Sequence, residues 1–102
     1  MVGAAEWSEL YSQIEAIVVD GRHDDCRRIF ETMNRRRVPR EWASRLAELA
    51  WRINEPLWSL QLLKRFVYPE NRFATPATPH EKVIYATALS SLGATDEAAR
   101  IL

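Results

Sequence analysis

Apolar residues recur at steps of three and four along most of the chain, which is the spacing of one face of an α-helix. Near the N-terminus Leu10, Ile14 and Ile17 share such a face, and Leu60 and Leu63 repeat the pattern in the middle of the chain. No segment of more than four residues alternates cleanly between apolar and polar positions, as a half-buried strand would. The pattern therefore predicts an all-α protein.

Glycine and proline positions divide this pattern into helices. Gly21 and Gly93 each follow an apolar-periodic segment, where a helix-ending residue with positive φ is expected. Thr78 is expected to cap the fifth helix and to form a capping box with Glu81. The helices are predicted at about residues 6–19, 24–34, 40–53, 56–68, 79–92 and from 96 onward.

Each successive pair of helices is joined by only a few residues, so the two helices of a pair must be antiparallel neighbours. The chain of 102 residues is long enough for one domain, and we expect it to be part of a longer protein. A proline-rich linker, residues 69–79, separates the second pair from the third. The three predicted hairpins span about residues 6–34, 40–68 and 79–102.

The hairpins also repeat in sequence. Residues 21–30 align with residues 93–102, with glycine, aspartate, a second acid, a small residue, arginine, isoleucine and a large apolar residue in register. The middle hairpin fits when Asn54 is placed under Gly21, which puts Ser59 in register with Cys26. The spacings are then 33 and 39 residues, and the linker accounts for the longer one.

This pattern resembles the tetratricopeptide repeat (TPR) family, whose helix–turn–helix units are about 34 residues long. The resemblance covers nearly the whole chain and is strongest over residues 85–98. The small residue of the family's second helix corresponds to Cys26, Ser59 and Ala98. The resemblance implies three antiparallel hairpins stacked as a short right-handed α-solenoid, and a generic three-hairpin α-solenoid is the alternative.

The resemblance also implies a function, because TPR modules are non-enzymatic and bind a peptide or a partner domain. Their concave groove is lined by the first helix of each hairpin. The groove residues implied for this sequence are Tyr11, Glu15, Val18, Glu48, Trp51, Arg52, His80 and Thr87, together with Ser8, Glu41, Ser44, Val83 and Ser90. Trp51 beside Arg52 is a pairing enriched at interface hot spots. Packing of Trp51 against the next hairpin is an equally weighted alternative.

The distribution of charge adds one local candidate site to this prediction. Fourteen basic and fourteen acidic residues give a net charge of zero, so there is no general attraction to nucleic acid or membrane. Arg35, Arg36 and Arg37, with Arg40 close by, form a candidate anion contact. The alternative function is therefore a nucleic-acid-binding helical repeat, although arginines in a solvated loop near a helix C-terminus are the favoured interpretation.

Candidate chemistry is sparse. His23 and Cys26 have the spacing to approach one metal ion, but Cys26 aligns with small packing residues, and we expect no metal, cofactor or enzyme activity. The single cysteine excludes an internal disulfide, and no membrane span or signal peptide is evident in the sequence. We expect a cytoplasmic protein whose partner is a protein or peptide, with self-association through the last helix as a further hypothesis.

Overall fold

The computed structural model describes residues 4–102, and all regular structure in that range is helical. The all-α prediction is confirmed, and the helix bounds differ from the predicted ones by at most two residues. A 3-10 turn at Arg35–Arg37, which the apolar pattern did not predict, connects the first two hairpins. The helices are α1 Ala4–Val19, α2 His23–Thr32, α3 Arg40–Arg52, α4 Pro56–Val67, α5 Pro79–Ser91 and α6 Thr95–Ile101.

The turns inside the three hairpins share one backbone geometry. Each turn has a residue with positive φ at its centre, 77° at Gly21, 62° at Asn54 and 87° at Gly93. The residue after it donates its N–H to the carbonyl five positions earlier, which is the Schellman closure of a helix. These bonds join Arg22 to Ile17 at 3.1 Å, Glu55 to Ala50 at 2.9 Å and Ala94 to Leu89 at 2.9 Å. The alignment of Asn54 with the two glycines is confirmed.

Each hairpin packs against the next one along the chain. Helix α1 contacts α2 and α3, α3 contacts α4 and α5, and α5 contacts both α4 and α6. The first helices of the three hairpins are therefore in contact in the order α1, α3, α5.

Small side chains occupy one aligned position in the second helix of each hairpin. Cys26, Ser59 and Ala98 are all buried, as their alignment predicts, and the hydroxyl of Ser59 donates to the carbonyl of Ala47 at 2.6 Å. The next aligned position differs between hairpins. Phe30 stacks on Trp58 of the second hairpin with ring centroids 5.3 Å apart, whereas the aligned Leu102 is exposed because α6 packs mainly on α5.

Arg40 holds the linker between α4 and α5 in place. Its guanidinium pairs with both carboxylate oxygens of Glu81, at 2.8 and 2.9 Å, and donates to the carbonyls of Thr75 and Pro76 at 3.1 and 2.8 Å. Glu81 also accepts the N–H of Thr78 at 2.8 Å, while the Thr78 hydroxyl accepts the N–H of Glu81 at 3.1 Å. The predicted capping box is therefore confirmed, and one carboxylate joins it to the second hairpin.

Candidate functional site

The first helices of the hairpins form a shared surface, called here the α1/α3/α5 face. Trp51 of α3 lies on it with 43% of its surface exposed. The indole Nε1 of Trp51 donates to the hydroxyl of Ser91 on α5 at 3.1 Å, and that hydroxyl donates to the carbonyl of Thr87 at 3.1 Å. Trp51 thus contacts the next hairpin, as one interpretation predicts, and still presents part of its surface to solvent.

Tyr11 occupies the α1 side of the same face. Its hydroxyl donates to the carboxylate of Glu15 at 3.1 Å, and its ring lies 5.8 Å from that of Trp42 on α3. Burial raises the pKa of Tyr11, and the carboxylates of Glu15 and Glu48 raise it further. Tyr11 therefore contacts α3 through Trp42.

Glu48 and Arg52 lie one helical turn apart on α3, with 3.5 Å between the guanidinium and the carboxylate. Both side chains are nearly half exposed. An exposed pair at this spacing contributes little to stability, about 0.3–0.5 kcal/mol. Both groups are therefore free to exchange this contact for one with a ligand.

Three of the predicted face residues lie apart from the Trp51 contact. Val18 is half-buried and packs against the core. His80 is exposed in the first turn of α5, about 16 Å along the helix axis from Ser91 at 1.5 Å per residue. Ser90 is exposed, and the residue that meets Trp51 is its neighbour Ser91. The sequence spacing could have identified Ser91, because it lies one helical turn after Thr87, on the same side of α5.

The four arginines of the predicted anion contact differ in the partners that they bind. Arg40 is engaged with Glu81 and the linker, and Arg35 donates to Gln61 and to the carbonyl of Phe30. The Arg35 guanidinium also lies 5.6 Å from the ring centroid of Trp58. Arg36 and Arg37 are exposed. The four arginines therefore do not form one anion contact in this arrangement.

A concave surface, called here the basic cleft, lies between the 3-10 turn, α4 and the linker after α4. It has a volume of about 990 Å³. Its basic lining residues are Arg35, Arg36, Lys64 and Arg65. Sequence reasoning missed the last two because they lie on another helix, although a basic pair at the end of α4 was visible in the sequence.

Cys26 is buried in the first hairpin, and this burial raises the pKa of its thiol to about 11. Cys26 aligns with Ser59 and Ala98 because all three are small side chains at buried positions. Among residues 4–102, no group of three His, Cys, Asp or Glu side chains is placed to hold a metal ion. None of the helices in this range has both the length and the apolar character needed to cross a membrane.

Comparison with protein-family models, curated proteins and solved structures finds no match to this chain. Its function is therefore inferred from its own residues.

Proposed function

We propose that the chain is a non-enzymatic interaction module that binds a peptide or a segment of a partner protein on the α1/α3/α5 face. In this proposal the three hairpins are stacked as a short right-handed solenoid of the TPR type. The recurrence of one turn geometry at Gly21, Asn54 and Gly93 supports a repeat architecture. Contacts that run from each hairpin to the next support stacking, because a single hairpin cannot bury its apolar face alone.

The observation that carries the binding proposal is the state of Trp51. The residue is 43% exposed, yet its indole N–H is fixed by Ser91 of the neighbouring hairpin. A large apolar surface that is already held in one orientation loses little conformational entropy on binding. Tryptophan is also among the residues that dominate binding energy at protein interfaces. Trp51 therefore serves as the apolar anchor for a ligand side chain.

Polar groups around Trp51 would fix the orientation of a bound ligand. Arg52 is next to Trp51 in sequence, and Glu48 and Tyr11 extend the polar surface toward α1. A ligand carboxylate would pair with Arg52 in place of Glu48, while Glu48 would accept a hydrogen bond from the ligand. An apolar centre with polar groups at its rim is the usual arrangement of protein interfaces.

Selection of peptides from a displayed random library, with the immobilised chain as bait, tests this proposal. The selected peptides are then titrated against Trp51→Ala and against Leu57→Ala, since Leu57 is an apolar residue of α4 with comparable exposure. We expect Trp51→Ala to weaken binding at least about tenfold and Leu57→Ala to leave it unchanged. Equal affinity of the two variants for every selected peptide would contradict the proposal.

A further inference from the structure

The basic cleft is a charge concentration on a chain whose net charge is zero. Four basic side chains line it, and Glu70 is the only carboxylate in the lining. None of Arg35, Arg36, Lys64 and Arg65 forms an ion pair with a carboxylate of residues 4–102, whereas Arg22, Arg27, Arg28, Arg40 and Arg52 all do. These four basic side chains therefore have no carboxylate partner among the described residues, and all of them line one open cleft.

Two of the four basic groups are fixed by the fold. Arg35 is held by Gln61 and lies over Trp58. Arg65 donates one N–H to the carbonyl of Val38 and lies 4.6 Å from the ring centroid of Phe66. A guanidinium has five N–H donors, so each arginine keeps donors that these contacts do not use.

Arg36 and Lys64 are exposed, as is Arg65. Burial lowers the pKa of Arg65, and no carboxylate of residues 4–102 pairs with its guanidinium. Two arginines held by contacts with the fold and two further exposed basic side chains form a site for anionic groups, because guanidinium and carboxylate pair in a bidentate fashion.

The rest of the lining favours carboxylates over the phosphates of a nucleic acid. Single-stranded nucleic acid is bound by stacking of its bases on free aromatic rings. Tyr68 is the only aromatic residue in the lining. Its ring meets Tyr85 edge-on and its hydroxyl donates to Glu97, and although Tyr68 is 45% exposed, a single ring does not provide stacking positions for successive bases. Trp58 is covered, because Phe30 and Arg35 both lie against its ring.

Apolar groups complete the cleft. Met33, Pro69 and Ala74 also line it, and they offer contact area to an apolar side chain but no recognition of a base or sugar. We infer that the basic cleft binds an acidic peptide segment of a partner protein, with glutamate or aspartate on its four basic residues and an apolar side chain on Met33 and Pro69. This site is separate from the α1/α3/α5 face and does not depend on it.

Fluorescence anisotropy with three labelled probes tests this inference. The first probe is a glutamate-rich peptide of about 12 residues with a central leucine, which is long enough to cross the cleft when extended. The second is the same peptide with glutamine in place of glutamate, and the third is an oligouridine of equal length. We expect the acidic peptide to bind, its affinity to fall as salt rises, and the other two probes to bind much more weakly.

Two double variants test whether the acidic peptide binds in the basic cleft. Arg36→Gln/Lys64→Gln should weaken binding of the acidic peptide about tenfold, and because both side chains are exposed the thermal melting curve should not move. Arg28→Gln/Lys82→Gln removes the same charge from exposed positions outside the cleft and should change affinity less than about twofold. Trp51→Ala should have no effect, so failure of this inference is distinguishable from failure of the proposed face.

Four results would overturn the inference: no binding of the acidic peptide, equal binding of the glutamine peptide, tighter binding of oligouridine, or equal effects of the two paired variants. The acidic residues of α1 offer a further check, because Glu6, Glu9 and Glu15 are exposed. Sedimentation equilibrium that shows self-association, lost in Arg36→Gln/Lys64→Gln, would identify a second copy of this chain as the occupant and would also overturn it.

Discussion

Glu81 is the only charged side chain of the described residues that is almost fully buried, with 4% of its surface exposed. A carboxylate in that position is stable only when hydrogen bonds replace its lost hydration. Arg40 and the N–H of Thr78 supply those bonds. One residue thus caps α5, fixes the linker through Arg40 and joins the second hairpin to the third.

Replacement of this charge should weaken the fold and change its response to pH. Burial alone raises the pKa of Glu81, but the hydrogen bonds from Arg40 and Thr78 outweigh it, so the pKa lies below its ordinary value of 4.5. The stabilisation is therefore complete above pH 4.5 and is lost as the pH falls through the lower pKa of the folded state. Glu81→Gln should cost about 2 kcal/mol at neutral pH.

Urea unfolding of wild type and Glu81→Gln from neutral to acidic pH measures both effects. We expect the two proteins to approach each other in stability as Glu81 becomes protonated. Parallel stability curves for the two proteins across that range would show that the Arg40–Glu81 contact does not contribute as described.

Only some of the contacts of these residues could be predicted from the sequence. The capping box was predictable because Thr78 and Glu81 are three residues apart and one local rule governs them. The contact of Glu81 with Arg40 joins positions 41 residues apart, and periodicity does not specify which distant side chains meet. The same limit applies to Trp51 and Ser91, whose register depends on how α3 and α5 pack.

The hairpin turns are the feature that repeats most closely at the scale of elements. Gly21 and Gly93 were recognisable because each follows an apolar-periodic segment, whereas Asn54 was identified only through the alignment. Asparagine tolerates the left-handed region better than other non-glycine residues. The middle turn can therefore keep the same geometry without a glycine.

Alanine at these three positions should destabilise the protein by similar amounts. No heavy atom lies within 4 Å of a Cβ built at Gly21 or Gly93, so the cost of Gly21→Ala or Gly93→Ala is backbone strain alone, about 1–2 kcal/mol. Asn54→Ala should cost about as much, and Asn54→Gly should change stability by less than about 0.5 kcal/mol. Urea unfolding midpoints measure this series, and unchanged midpoints for both glycine variants would contradict the account of the turns.

Helix positions and types were well predicted from the sequence because local periodicity and terminal signals determine them. The 3-10 turn at Arg35–Arg37 was missed, since its three residues carry no apolar pattern. Arg35 is fixed there by residues of α4, which local reasoning does not reach. The basic cleft was missed for the same reason, because its charges come from segments far apart in the chain.

At the scale of the whole molecule, small residues let the hairpins approach one another. Ala86 of α5 is 2% exposed within the core, and Ala47 is its aligned counterpart in α3. A large side chain at Ala86 should therefore be incompatible with the packed hairpins.

Ala86→Trp should abolish cooperative folding, because overpacking of a close helix contact costs about 3 kcal/mol or more in a domain of limited stability. Ala16→Trp is the matched control, since Ala16 is an exposed residue of α1 and should accept the ring. Circular dichroism during thermal unfolding distinguishes the two variants. A folded Ala86→Trp protein with the melting temperature of wild type would refute the close packing of α5.

The most direct test of the central claim is to locate a selected peptide by its effects on backbone amide NMR signals of the chain. We expect the largest chemical-shift changes in α3 and α5 around Trp51 and Ser91, with smaller changes that extend to Tyr11. All of them should disappear in Trp51→Ala. Changes confined to α2, α4 and the linker, and preserved in Trp51→Ala, would contradict binding on the α1/α3/α5 face.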